Sequence, residues 1–136
     1  MDPLQAIGVI SGSGMRAQAE RMRVVSENIA NANVTGTTPG ADPYQRQVIT
    51  FSEMLDRNTG VNRVTVDRIV PDMSDFKVRF DPSHPAADAE GFVKLPNVEP
   101  LIEMNNMREA SRSYEANMNM FDIARQMKMK TIDMLR

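Results

Sequence analysis

From Leu4 onward the first part of the chain keeps one spacing. Leu4, Gly8, Ser11, Met15, Gln18, Met22, Val25, Ile29 and Ala32 are separated alternately by four and three residues. Side chains so placed line one side of an α-helix, and the alternation is that of a coiled-coil seam. The spacing predicts a helix from about Pro3 to Asn33. Asp2 followed by Pro3 suits its start, because a short acid caps free N–H groups and proline belongs in a first turn. Gly12 and Gly14 each cost roughly 1 kcal/mol in a helix relative to alanine, so a bend or fraying is expected there. The last part repeats the pattern through Met107, Ala110, Tyr114, Met118 or Asn117, Phe121, Ala124, Thr131 and Leu135. It predicts a second helix from about Glu99 to Leu135, with Pro100 in its first turn. Met104, Ser111, Met120, Met127 and Met134 widen that stripe.

Between the helices the pattern shortens. Tyr44–Phe51, Val61–Val70, Phe76–Phe80 and Gly91–Leu95 read as strands, with turns at Asn58–Gly60 and Asp81–Ser83. Pro39, Pro43, Pro71, Pro82, Pro85 and Pro96 all fall here, whereas the two ends are free of internal proline. Proline interrupts helices, so the chain divides into a helix over 1–36, a β-rich middle over 37–98 and a helix over 99–136. The four Phe and one Tyr of the middle are expected to form a small core, marginal by itself. The expected fold is mainly α with a small β-rich middle. Long N- and C-terminal helices pair as a coiled-coil-like hairpin, and the β part is inserted between them.

At 1.5 Å per residue the helices would be about 45 and 50 Å long. A 15.2 kDa chain cannot wrap elements of that length, so burying both stripes calls for an elongated hairpin or for other chains. Composition sharpens this. There are 12 Met against 5 Phe, 2 Tyr and no Trp, and most of the Met lie in the two terminal stretches. Methionine is unbranched and adapts to several neighbours, so the stripes suit either a Met-filled helical core or faces buried only on assembly. On the second reading the isolated ends order only when partners arrive.

Several chemistries drop out. With no cysteine and one histidine, there is no disulfide, thiolate site or multi-histidine metal site within one chain. A net charge of −2 argues against a nucleic-acid footprint, and the negative balance sits in the middle. No apolar run is long enough to span a membrane. The N-terminus lacks the basic start and apolar stretch of a cleavable secretory signal. Gly12–Ala17 (GSGMRA) matches the dinucleotide fingerprint, but no acid follows about 20 residues later and no βαβ alternation surrounds it. His84, between two prolines, has no nucleophile or orienting partner suggested by the sequence, and reads as a loop histidine. Asp81, Asp88 and Glu90 lack the spacing of a calcium loop. No cofactor, metal or catalytic residue is expected.

The asparagines carry more. Asn28, Asn31 and Asn33 crowd the end of the first helix, and Asn105, Asn106, Asn117 and Asn119 mark the last. Asn31 and Asn33 suit C-capping. Alternatively the amides bond between helices and set register in an assembly. Glu109, Arg112 and Glu115 can pair at three-residue spacing, or simply form a solvated face.

Residues 26–36 (SENIANANVTG) resemble the N-terminal signature of the flagellar rod, hook and hook-filament axial proteins, and the shared pattern runs from Gly14 onward (GMRAQAERMRVVSENIANAN). Residues 81–100 (DPSHPAADAEGFVKLPNVEP) and 101–121 (LIEMNNMREASRSYEANMNMF) resemble the short proximal-rod members of that family, and the resemblance covers nearly the whole chain. It implies a structural subunit of the bacterial flagellar basal body, in the hollow drive shaft that crosses the periplasm, transmits torque and forms the export channel. It implies that paired terminal helices form an inner layer with the middle outside. Partners implied are other rod proteins, copies of the chain itself and the flagellar type III export apparatus, which would explain the lack of a cleavable signal. Residues expected to carry assembly are Met15, Met22, Val25, Asn28, Ile29, Asn31 and Asn33 on the first helix. On the last they are Met104, Met107, Tyr114, Asn117, Met118, Phe121 and Leu135. Two other classes compete: a soluble helical adaptor or chaperone of flagellar export, and an enzyme, for which the catalytic constellation is missing.

Overall fold

The computed structural model describes residues 2–136. Helix α1 (Pro3–Ala30) and helix α2 (Pro100–Met134) flank four strands: β1 (Gln47–Asp56), β2 (Val61–Pro71), β3 (Lys77–Phe80) and β4 (Phe92–Leu95). The strands form two separate two-stranded sheets, β1 with β2 and β3 with β4. Two long terminal helices around a small β middle are what the hydrophobic spacing predicts.

Local chemistry sets the ends. The Leu4 N–H donates to Asp2 Oδ1 at 3.2 Å and the Ala6 N–H to the Asp2 carbonyl at 2.9 Å, so Asp2 caps α1 with Pro3 in the first turn. The helix stops at Ala30, three residues before the expected Asn33. There the Asn31 backbone N–H and side-chain amide both donate to the Glu27 carbonyl, at 3.0 and 2.8 Å, so the Asn31 side chain folds back over the last turn. Gly12 and Gly14 do not interrupt α1, which runs unbroken past both. Gly14 is a site of close packing: a β-carbon there would lie 2.7 Å from Asn117 Oδ1.

The chain forms two compact units. The first comprises Met1–Met22, Ile49–Arg68 and Met107–Arg136. In it α1 and α2 run antiparallel, because their contacts pair in opposite order: Gly8 lies against Phe121, Gly14 against Asn117, and Arg21 Nη2 is 3.2 Å from Glu109 Oε2. Ser11, Ser13, Gly14, Ala17, Ala110 and Ala124 are buried, and such small side chains let backbones approach closely. Ser13 Oγ donates to the Ile10 carbonyl at 2.7 Å and accepts from the Val64 N–H at 3.2 Å, tying β2 to α1. The β1–β2 turn closes through Gly60, whose N–H donates to the Asp56 carbonyl at 2.7 Å with φ +67°.

The second unit comprises Arg23–Val48 and Ile69–Asn106. In it β3 and β4 pair antiparallel, Lys77 opposite Leu95 and Phe80 opposite Phe92. Its interior holds Val24, Val25, Ala86, Val93, Pro96 and Val98, together with Asn28 and Glu103. The aromatic core expected of the middle does not form. Phe80 and Phe92 meet edge to face at 5.3 Å, yet Phe80 is 63% exposed. Valine, alanine and proline fill the interior because the two rings sit together at the end of the β3–β4 ladder, on its open side.

Candidate functional site

Helical spacing decides which side of each helix is already used. Along α1 the predicted stripe from Leu4 to Ala32 contains no fully exposed residue; Ser11 and Val25 are buried, and Met15, Met22 and Ile29 are half-buried. Along α2 the stripe is covered less evenly. Met107, Tyr114 and Asn117 are half-buried and Ala110 and Ala124 are buried, but Met104, Met118, Phe121 and Leu135 are exposed. Of the two candidates at the same turn, Asn117 faces α1 and Met118 does not. Beyond Ala124 every residue of α2 is exposed, including Met127, Met129, Ile132 and Met134. Large apolar side chains exposed all round a helix end are characteristic of a surface that meets another chain. Leu4, Gly8, Val9, Phe121, Ala124 and Lys128 also line an open, mostly apolar groove of about 330 Å³.

The asparagines have definite partners. Asn28 is almost fully buried: its Oδ1 accepts from Tyr44 Oη at 2.8 Å and from the Gln47 N–H at 2.9 Å, and its Nδ2 donates to the Gln47 carbonyl at 2.9 Å. These bonds join α1 to the start of β1 within one chain. Asn117 Nδ2 donates back to the Ser113 carbonyl at 2.8 Å, as Asn31 does to Glu27. Asn33 is exposed.

One constellation has no counterpart among the expected sites. Glu103, in the first turn of α2, is fully buried. Its Oε1 accepts a very short bond from Arg46 Nε, and Arg46 Nη1 donates to Asp72 Oδ2 at 3.1 Å. Asn97 locks the same cluster: its Oδ1 accepts from the Arg46 N–H at 2.8 Å, and its Nδ2 donates to the Asp72 carbonyl at 3.0 Å and to the Ser74 carbonyl at 3.1 Å. Burial opposes the charge of Arg46, but the bond and charge of Glu103, with those of Asp72, outweigh it and raise its pKa. The Ser74 N–H donating to the Asp72 carboxylate is the main cause that lowers the Asp72 pKa; partial burial opposes it, and the Ser74 side chain and Arg46 add to it. Burial, followed by the negative charges of Glu27 and Glu103, raises the Tyr44 pKa, with Arg46 opposing. The spacing did contain a signal. Glu103 stands four residues before Met107, so a carboxylate occupies a position of the buried stripe.

The residues with candidate chemistry are occupied structurally. His84 Nδ1 accepts from the Ala86 N–H at 3.0 Å, and its Nε2 faces Thr35 Oγ1 at 3.3 Å. That arrangement puts the ring proton on Nε2 and makes His84 a loop staple. Asp88 Oδ1 accepts from the N–H groups of Glu90 and Phe92, both at 2.9 Å, and Asp81 Oδ1 from Ser83 Oγ at 2.8 Å. Among the described residues, no three His, Cys, Asp or Glu side chains gather as a metal-holding group. Nor is any helix among them long and apolar enough to cross a membrane.

Paired terminal helices with apolar residues left uncovered, around a small β middle, suit a structural subunit that packs against other chains. Family comparison agrees. Residues 10–37 match the family described as flagella basal body rod protein, and residues 89–134 the family described as flagellar basal body rod FlgEFG protein C-terminal. The chain is 53% identical to the flagellar basal-body rod protein FlgC of Agrobacterium fabrum over 136 residues, covering 100% of the chain and 98% of that protein. It is 36% identical to FlgC of Bacillus subtilis, covering 91% of the chain and 93% of that protein. To FlgC of Salmonella typhimurium it is also 36% identical, over 90% of the chain and 91% of that protein. The chain belongs to the FlgC family of flagellar basal-body rod proteins. It is a structural subunit of the basal-body rod.

Proposed function

We propose that this subunit builds the proximal part of the rod through its terminal helices, as one element of a hollow shaft that transmits torque and leaves a channel for export. Residues 1–36 and 99–136 form the inner layer and residues 37–98 the outer part. The observation that carries this reading is the apolar surface that α2 leaves uncovered around its seam with α1. Met118, Met120, Phe121, Ile123, Met127 and Ile132 are each more than a third exposed, although α2 already packs on α1 through Asn117 and Ala124. A helix held mainly by tertiary packing and left uncovered along its last turns gains stability when neighbours bury it. Met15, Met22 and Met107 line the seam within the subunit. Met104, Met118, Phe121 and Leu135 face the neighbours, which are other rod proteins and copies of this chain.

The subunit reaches the periplasm through the flagellar type III export apparatus. A chain without cysteine has no thiols to cross-link in an oxidising compartment. The subunit acts by packing and carries no catalytic activity. No observation favours the adaptor reading. Quantitative mass spectrometry of purified hook–basal bodies tests the placement: the chain is expected at a fixed ratio to other rod proteins. Its absence from intact basal bodies, with accumulation in cytoplasmic export complexes, would overturn the proposal.

A further inference from the structure

The cluster around Arg46 carries one negative charge more than it can pair. Arg46, Asp72, Asn97, Glu99, Ile102 and Glu103 line an open cavity of about 240 Å³. Three of these side chains are carboxylates and one is a cation. Glu99 is offset from outside the lining by an ion pair with Lys77. Arg46 divides its bonds between Glu103 and Asp72. Asn97 Nδ2 is spent on Asp72 and Ser74. Glu103 Oε2 is therefore left buried with no hydrogen-bond partner, on a side chain that is 0% exposed. A buried carboxylate oxygen without a donor is costly, and natural folds rarely keep one without a use.

We infer that this cavity receives a lysine or arginine side chain from a neighbouring rod subunit, with the cation completing Glu103. The inference rests on the rod-subunit reading under Proposed function. The chemistry of the lining selects this class of occupant. Ile102 is 55% exposed at the cavity, an apolar surface for the aliphatic stem of a basic residue, while its charged head meets the surplus carboxylate. The apolar rim favours a side chain over a free ion, and the lining holds no ligand set for a metal among the described residues. The contact also explains an uneconomical feature of the fold, a full charge kept in the interior where a neutral amide would accept the same bond from Arg46.

Two measurements on assembled material test this. In cells making the full chain with Ile102 replaced by photo-reactive benzoylphenylalanine, irradiation is expected to attach it to another rod subunit within a few residues of a lysine or arginine. Attachment confined to its own chain, or to a stretch of neighbour lacking basic residues, overturns the inference. Separately, Glu103→Gln keeps an oxygen for Arg46 Nε but removes the surplus charge. The soluble variant is expected to fold like the parent by circular dichroism, yet to enter purified basal bodies about tenfold less. Incorporation at the parent ratio overturns the inference while leaving the rod assignment intact. Absence of the parent chain itself from basal bodies would instead defeat the assignment on which it rests.

Discussion

Gly14 and Asn117 compete for the space of one methyl group. A β-carbon at position 14 would fall 2.7–2.8 Å from three atoms of the Asn117 amide, so alanine there must push the amide off the Ser113 carbonyl. Alanine gains about 1 kcal/mol over glycine in a helix, whereas overpacking costs about 1–3 kcal/mol. Gly14→Ala should therefore be neutral to destabilising in the parent and stabilising by about 0.5–1 kcal/mol in an Asn117→Ala background. Urea unfolding of the four chains reads the coupling; an equal effect of Gly14→Ala in both backgrounds would show that the two positions do not meet. Asp72 gives a pH prediction. Its folded pKa lies below the ordinary aspartate value, so its contribution is complete above that value and is lost as pH falls through the lowered one. Asp72→Asn should cost about 1–2 kcal/mol at neutral pH and flatten the loss of stability below about pH 4. A variant whose acid unfolding curve has the parent's slope would contradict this.

Elements differ in how far they could be read. Both helices were legible because their periodicity is local, repeated over many turns, and closed by Asp2–Pro3 and Pro100. Strand starts were less so. The expected strand at Tyr44 begins only at Gln47, because the backbone N–H groups of Tyr44, Arg46 and Gln47 donate to the Val34 carbonyl, Asn97 Oδ1 and Asn28 Oδ1. Those partners lie up to 51 positions away and leave no periodic trace. The β3–β4 hairpin depends on Gly91, which adopts φ +87° and would place a β-carbon 2.9 Å from the Phe80 ring. Gly91→Ala combines a left-handed backbone with a clash, a cost of about 2 kcal/mol or more. The amides of Arg79 and Val93, opposite each other in that ladder, should then exchange faster than in the parent while those of α1 residues 10–20 keep their rates. Unchanged exchange at Arg79 and Val93 would show that the hairpin does not need glycine at this corner.

At the scale of the whole molecule, the two long helices could be read from the chain, but which of their sides pack together could not. The stripes named the helices as the working parts, yet periodicity alone places Met118 and Asn117 on one turn without saying which faces α1. Glu103 remained hidden because its partner Arg46 is 57 positions away, and Asp72, which shares Arg46, is 31 away, brought together only by the fold. In the assembled rod the helices then divide the labour. The buried side of the helix pair holds the subunit together, and on the proposed reading the exposed apolar surface of α2 holds the subunit in the shaft. The most direct test is to replace an uncovered residue of that surface and count subunits in purified basal bodies. Met127→Asp places a charge on the exposed apolar surface of α2, while β3, β4 and the Arg46 cluster lie in the other unit. The account predicts a soluble chain that retains the β3–β4 hairpin, is lost from basal bodies relative to the other rod proteins, and leaves cells non-motile. Parent-level incorporation with normal swimming would contradict it.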